Sequence, residues 1–391
     1  MLNFEFYSPT KIYFGKELEE KIGPVIQDYG YGNVLIVYGG GSIKRNGLLG
    51  KVEDSLKKSG LSYTELGGVE PNPKIDKVYE GMEIVREKKI DFLLAVGGGS
   101  VIDTCKSISI GIANNIDPWV MIEKNIMPEK AMPVGTVLTI AAAGSETSNS
   151  HVISNPAVNS KRGFNHDLLR PLVSFLNPEN TYSVDRYQTA CGIVDIMMHT
   201  FERYFTPEKN CEPTDRIAEA VLIAVKEVAH DALEQPDNYE ARATLMWSGS
   251  LSHNALTGLG RAGGWAPHKL SLDIGGAFDH VAHGAALSVI FPSYCRYVMQ
   301  YDIQRFARIA TRLWGIETDF EHPEKTAKLG IDACEAFFHS LGMPTRLSEL
   351  RIGAENIEML ASMTTRDDTI TLSSYIPLHK KELMEILELA K

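Results

Sequence analysis

The first 180 residues alternate short apolar runs with amphipathic stretches. Val34-Leu-Ile-Val-Tyr38 is an apolar, β-branched run that ends in glycine. Residues 43–59 then space Leu48, Leu49, Val52 and Leu56 at helical intervals until Gly60 stops them. Ser62-Tyr-Thr-Glu-Leu66, a charged segment over 74–89 and Phe92-Leu-Leu-Ala-Val96 complete a β-α-β-α-β pattern. Strands that are apolar on both faces imply a parallel sheet covered by helices on both sides. Further strand-like runs fall at 133–140, 151–154 and 172–176. Near the start, Phe4-Glu-Phe-Tyr7 and Lys11-Ile-Tyr-Phe14 alternate as two short strands whose open edge invites a second chain.

After Asn177-Pro-Glu179 the texture changes to long segments of helical period. In 215–233, Ile217, Val221, Ala224 and Val228 form one stripe, and Leu341-Gly-Met-Pro344 reads as a helix stop. The pattern therefore predicts an α/β domain with a parallel sheet over 1–180 and a mostly helical domain over 181–391.

Composition narrows the function. With 44% hydrophobic and 23% charged residues over 391, the chain can build a normal core and is not globally disordered. The balance of 39 basic against 50 acidic residues, a formal charge of −11, argues against nucleic acid or an anionic membrane as partner. Five scattered cysteines without a CxxC pair fit neither a disulfide framework nor a structural zinc cluster. The start lacks a signal-peptide core and no run of about 18 apolar residues occurs, so a cytoplasmic protein is expected.

Two identical tetrads, Gly39-Gly40-Gly41-Ser42 and Gly97-Gly98-Gly99-Ser100, each follow an apolar strand and precede a helix. Glycine permits a sharp turn and close approach of a ligand, and the following helix start favours a pyrophosphate. One such tetrad is as easily a tight turn; two on neighbouring strands point to a dinucleotide. The strand before Gly39 ends without the acid that usually binds the ribose of NAD, while Lys44 and Arg45 follow. That favours NADP, with NAD as the alternative if both cations are merely solvated. Asp103 and the run Pro133-Val-Gly-Thr136-Val-Leu-Thr139 add polar groups near these turns.

Asp195 and His199 stand four apart in an apolar helical segment, and a buried carboxylate beside a buried imidazole needs compensation. Alone the pair reads as a hydrogen bond. Three of the eleven histidines, however, fall at His268, His280 and His283. One carboxylate plus two or three imidazoles suits Fe(II) or Zn(II).

Together these segments resemble the iron-containing alcohol dehydrogenase family, in its butanol dehydrogenase/NADPH-dependent aldehyde reductase branch. The likeness runs through FYSPTKIYFG at the start, GGGSVIDTCK at 97–106, PVGTVLTIAAAGSE at 133–146, GIVDIMMHTFERY at 192–204, HVAHGAALSVIFP at 280–292 and LGMPTRL at 341–347. It implies a Rossmann-like parallel-sheet domain followed by an all-helical domain, the architecture of dehydroquinate synthase. It implies metal ligands at Asp195, His199, His268 and His283, with His280 as a rival ligand and a candidate proton donor. It also implies nucleotide contacts at both glycine turns, Asp103, Thr136, Thr139 and Lys161. The activity implied is reversible reduction of an aldehyde to a primary alcohol in a homodimer. Three positions depart from the pattern: Leu272 replaces a histidine, Ala143 replaces a threonine, and the loop from His268 to His283 is one residue longer. Rival readings are a glycerol dehydrogenase-like polyol oxidase, a dehydroquinate synthase-like lyase and a non-catalytic ligand-binding protein.

Overall fold

The computed structural model describes every residue except Asn159. Two compact units result: Tyr7–Val184 with Pro236–Asn254, and Met1–Phe6 with Asp185–Gln235 and Ala255–Lys391. A cut at 180 therefore meets two exceptions, because the helix Tyr239–His253 groups with the sheet unit and the first six residues with the helical one.

In the sheet unit, β1 (Lys11–Phe14), β2 (Asn33–Tyr38), β3 (Ser62–Leu66), β4 (Phe92–Gly97), β5 (Val134–Leu138) and β8 (Val173–Leu176) form one sheet in the order β1-β8-β5-β4-β2-β3. Every pairing in it is parallel. The strands show why they read as continuous apolar runs. Leu35, Val37, Leu93 and Ala95 enter the core on one face, and Val34, Ile36, Phe92, Leu94 and Val96 enter the core on the other. Chain order reverses direction beside β2, since β3 lies on one side of it and β4 on the other. In open parallel sheets that reversal point is where ligands bind, at the carboxyl ends of the strands.

Three expectations change. Residues 4–7 form no strand; Leu2 N–H instead donates to the Gly260 carbonyl at 2.8 Å, within the helical unit, and β1 pairs with β8. The run at 151–154 leaves the parallel sheet and pairs antiparallel, as β6 (Ser150–Asn155), with β7 (Ser160–Asn165). The helix over 43–59 divides into Ser42–Arg45 and Leu48–Lys58 because Gly47 adopts φ 81° between them.

The helical unit is organised around Arg186–Tyr204, which is buried from Thr189 to Tyr204. It packs against Glu212–Glu234 and His283–Val298. The second approach is backbone to backbone: a Cβ at Gly284 would fall 2.4 Å from the Cys191 carbonyl oxygen. Among the described residues, no helix is long and apolar enough to cross a membrane.

Gly284→Ala should therefore force these two helices apart and lower the unfolding free energy by about 1–3 kcal/mol. Urea unfolding followed by circular dichroism measures it, and an unchanged midpoint would contradict the close packing.

Candidate active site

Helical periodicity sets the first three groups. Asp195, His199 and Glu202 lie at i, i+4 and i+7 on Arg186–Tyr204, so they share one stripe, and all three are buried. His268 comes from Ala266–Ala277, and His283 opens His283–Val298. Ligand atoms of Asp195, His199 and His268 lie within 4.8 Å of one another. His268 Nε2 is 3.6 Å and His283 Nε2 is 3.8 Å from Asp195 Oδ1.

The Nδ1 side of each ring is held. His199 Nδ1 lies 2.8 Å from the Asp195 carbonyl oxygen and 3.2 Å from Asp195 Oδ1. His268 Nδ1 makes a short contact with Glu202 Oε1. Ser271 Oγ donates to the His268 carbonyl at 2.9 Å, so it accepts from His283 Nδ1–H at 3.0 Å. With its proton on Nδ1, each ring carries its lone pair on Nε2.

These residues fit a divalent cation on their own evidence. Asp195 Oδ1 and His268 Nε2 are enclosed and have no hydrogen-bond partner, an expensive state that a shared cation resolves. Burial alone would raise the Asp195 carboxyl, but the imidazoles of His199, His268 and His283 hold it well below the usual range. Burial likewise opposes charge on His268, yet Glu202 and Asp195 push it up to about 9. At His199, by contrast, burial wins and holds the imidazole below its usual value. The set of one carboxylate oxygen and three imidazole nitrogens suits borderline first-row ions. His283 is the most open member, with 28% of its side chain exposed, and Trp265 stands edge-on to His268 at 5.3 Å.

His280 falls outside this group. It is exposed, and its Nε2 donates to the Leu350 carbonyl at 3.0 Å, which commits the proton it would have to give. His283, not His280, is the histidine that faces Asp195. Glu202 and Ser271 were missed. Glu202 was legible as the third polar member of an otherwise apolar stripe; Ser271 carried no signal, because its partner is set by the turn at 278–282.

In the sheet unit the two glycine turns lie level, with Tyr38 opposite Val96 in the β2–β4 register. They flank the reversal point. The glycines do different work. A Cβ at Gly97 or Gly98 would strike Val101 or Ile140 at 2.5 and 2.4 Å, so those two are needed for packing. A Cβ at Gly40 would meet nothing within 4 Å and one at Gly99 only Ala143 at 3.7 Å, which leaves room for a ligand. Gly41 has φ 94° and starts Ser42–Arg45. The helix Gly99–Asn114 has no side-chain cap; Val101 N–H turns back to the Gly98 carbonyl at 3.1 Å, and the helix start ahead of it suits an anion.

Thr139 lies half-buried just past β5, its N–H donating to the Gly97 carbonyl at 3.1 Å. Thr136 is a correction: it is fully enclosed and its hydroxyl donates to Ser174, so it braces β5 against β8 and cannot touch a nucleotide. Asp103 accepts from Ser145 Oγ at 2.7 Å and Val152 N–H at 2.9 Å. Lys161 Nζ donates to Asn72 Oδ1 at 2.7 Å. Beneath Asp103, fully buried Lys106 reaches the carbonyl oxygens of Ser145, Ser148 and Ser150 at 2.7, 3.0 and 2.8 Å. Burial lowers this ammonium to about 8, while Asp103 and Glu146 oppose the shift. Its role is to fix the loop that holds Asp103.

A helical unit with a candidate metal site after a dinucleotide-type parallel sheet points to the class of metal- and nucleotide-dependent enzymes, and sequence comparison narrows it. Residues 9–178 match the model of the iron-containing alcohol dehydrogenases, and residues 189–391 match the C-terminal model of the Fe-containing alcohol dehydrogenase family. The chain is 39% identical, over 99% of both chains, to NADH-dependent butanol dehydrogenase A of Clostridium acetobutylicum. It is 36% identical, over 92% of both, to the NADPH-dependent aldehyde reductase YqhD of Escherichia coli. The structure of NADH-dependent butanol dehydrogenase A from Thermotoga maritima superposes with a TM-score of 0.95 at 35% identity, covering 100% of this chain and 99% of that one. The chain belongs to the iron-containing alcohol dehydrogenase family, and its activity is that of an alcohol dehydrogenase.

Removing the Nδ1 partner should loosen the centre. Glu202→Gln is expected to weaken Co(II) or Zn(II) binding about 10- to 100-fold. His283→Ala should lower bound metal and His280→Ala should leave it unchanged. Competition titration with a chelator and elemental analysis measure both; equal metal loss in the two histidine variants would contradict the assignment.

Proposed function

We propose that this chain interconverts a short-chain aldehyde, such as butanal, and its primary alcohol, using NAD(P)(H) and a divalent iron or zinc ion. The observation that carries this reading is the convergence of Asp195, His199, His268 and His283 with each imidazole braced from its Nδ1 side. A divalent ion held there supplies Lewis acidity toward a carbonyl oxygen, and the nicotinamide supplies hydride.

The protein's own residues do the rest. Asp195 is the one carboxylate among neutral imidazoles, so a divalent cation held there would keep a net positive charge, which suits developing negative charge on a carbonyl oxygen. Glu202 and Ser271 hold the rings at the angle coordination requires. The glycine turns and the uncapped helix start at Gly99 bind pyrophosphate through the backbone. Asp103, Thr139 and Lys161 serve the nucleotide's polar edges, with Lys106 fixing the first of them. Leu272 has no proton to give and His280 is committed to Leu350, which leaves water or a ribose hydroxyl to protonate the product.

The chain is further proposed to form a homodimer through β1, an edge strand of the parallel sheet. Phe14 and Trp247, each 41% exposed, stand edge to face at 6.0 Å beside it, an apolar patch that a second copy would cover.

His268→Ala should abolish butanal reduction while nucleotide binding persists, and chelation should do the same reversibly. Nicotinamide absorbance distinguishes this from a lyase: stoichiometric loss of NAD(P)H with alcohol formed supports a dehydrogenase, and turnover without net loss would refute it. Light scattering should return twice the mass of one chain.

A further inference from the structure

NAD and NADP differ by one phosphate on the adenine ribose, so discrimination rests on charge beside the first glycine turn. By the missing acid at position 39 and by Lys44 and Arg45, the sequence favours NADP. The side chains around that turn give another balance. Tyr38, the last residue of β2, is 6% exposed, and its ring lies so close over Gly67 that a Cβ there would sit 2.6 Å from it. The Tyr38 hydroxyl donates to Glu65 Oε2 at 2.8 Å. Lys44 Nζ lies 3.4 Å from the same oxygen and 4.9 Å above the Tyr38 ring. The loop after β3 is stapled to the turn, because Gly68 N–H donates to the Gly39 carbonyl at 3.1 Å and Val69 N–H to the Tyr38 carbonyl at 3.1 Å.

Glu65 is therefore a carboxylate fixed near the adenine-side end of the strands by a rigid tyrosine. The Tyr38 hydroxyl, with Lys44, holds it below the usual carboxylate range. The second lysine of the patch is engaged as well, Lys57 Nζ lying 3.8 Å from Glu53, whose carboxyl stands beside Glu65.

We propose that Glu65 is a cofactor-selecting residue: anchored by Tyr38, it takes up the charge of Lys44 and disfavours a 2′-phosphate, outweighing Arg45 at the same turn, so the enzyme prefers NADH to NADPH. It stands on β3, in place of the acid missing from β2. The inference rests on the dehydrogenase reading above, and it concerns binding alone, so no metal is needed to test it.

Dissociation constants of NADH and NADPH are to be measured by nicotinamide fluorescence at fixed salt, for the intact chain and for Glu65→Gln. Removing this charge should shift the NADPH/NADH ratio toward NADPH about fivefold. Tyr38→Phe keeps the ring packing, frees the carboxylate and should shift the ratio the same way by less. If both nucleotides bind and neither variant moves the ratio, Glu65 is not the selector and the dehydrogenase reading stands. If neither nucleotide binds the unaltered chain, the dehydrogenase reading fails and this inference with it.

Discussion

A carboxylate enclosed among three imidazoles is stable only if positive charge is shared between them, and the helical unit is arranged around that demand. Asp195 cannot turn toward solvent, since its helix is buried from Thr189 to Tyr204. His283 reaches it because Gly284 lets its helix touch the backbone at Cys191, one turn before Asp195. Packing and chemistry are thus one constraint: the helix contact that buries the core also sets the distance between ligands.

The sheet unit works by a different economy, using backbone geometry instead of charged side chains. Two turns are brought level by the β2–β4 pairing at the point where chain order reverses. Within the second turn, Gly97 and Gly98 are required by Val101 and Ile140, so the glycine run serves the fold first. At Gly40 and Gly99 the space beyond the backbone is open, which leaves room there for a ligand. The buried ammonium of Lys106 then fixes the loop beneath, replacing three carbonyl–water bonds with three carbonyl–ammonium ones.

Much of this was legible along the chain because it is written in period and punctuation. The apolar runs that became β2 and β4 are buried on both faces, and glycine follows each. The four groups facing one another in the helical unit were legible as residue types in apolar surroundings, aided by a family resemblance. What failed was information that lives in tertiary contact. Phe4 to Tyr7 alternate like a strand, yet no strand edge is paired with them. Thr136 looks like a ligand hydroxyl, yet β5 sits between two neighbours and its side chain is spent on Ser174. Lys44 looks available until Glu65, twenty-one residues away in sequence, is found beside it. His280 and His283 are separated only by the turn that sends one to Leu350 and the other toward Asp195.

The placement of Glu202 explains how the centre can need two acids yet be held directly by one. A second carboxylate placed directly against a divalent cation would cancel the charge that Asp195 leaves. Acting through His268 Nδ1–H, Glu202 instead raises the basicity of Nε2 and fixes the ring plane from the far side. Its charge reaches the centre attenuated by the length of an imidazole. Ser271 performs the weaker version of the same task for His283, and a hydroxyl suffices because that ring lies nearer solvent. The gradient from carboxylate to hydroxyl across the two rings therefore leaves the His283 side the less tightly braced edge of the site. That side is also the more open one, with 28% of the His283 side chain exposed against 11% for His268.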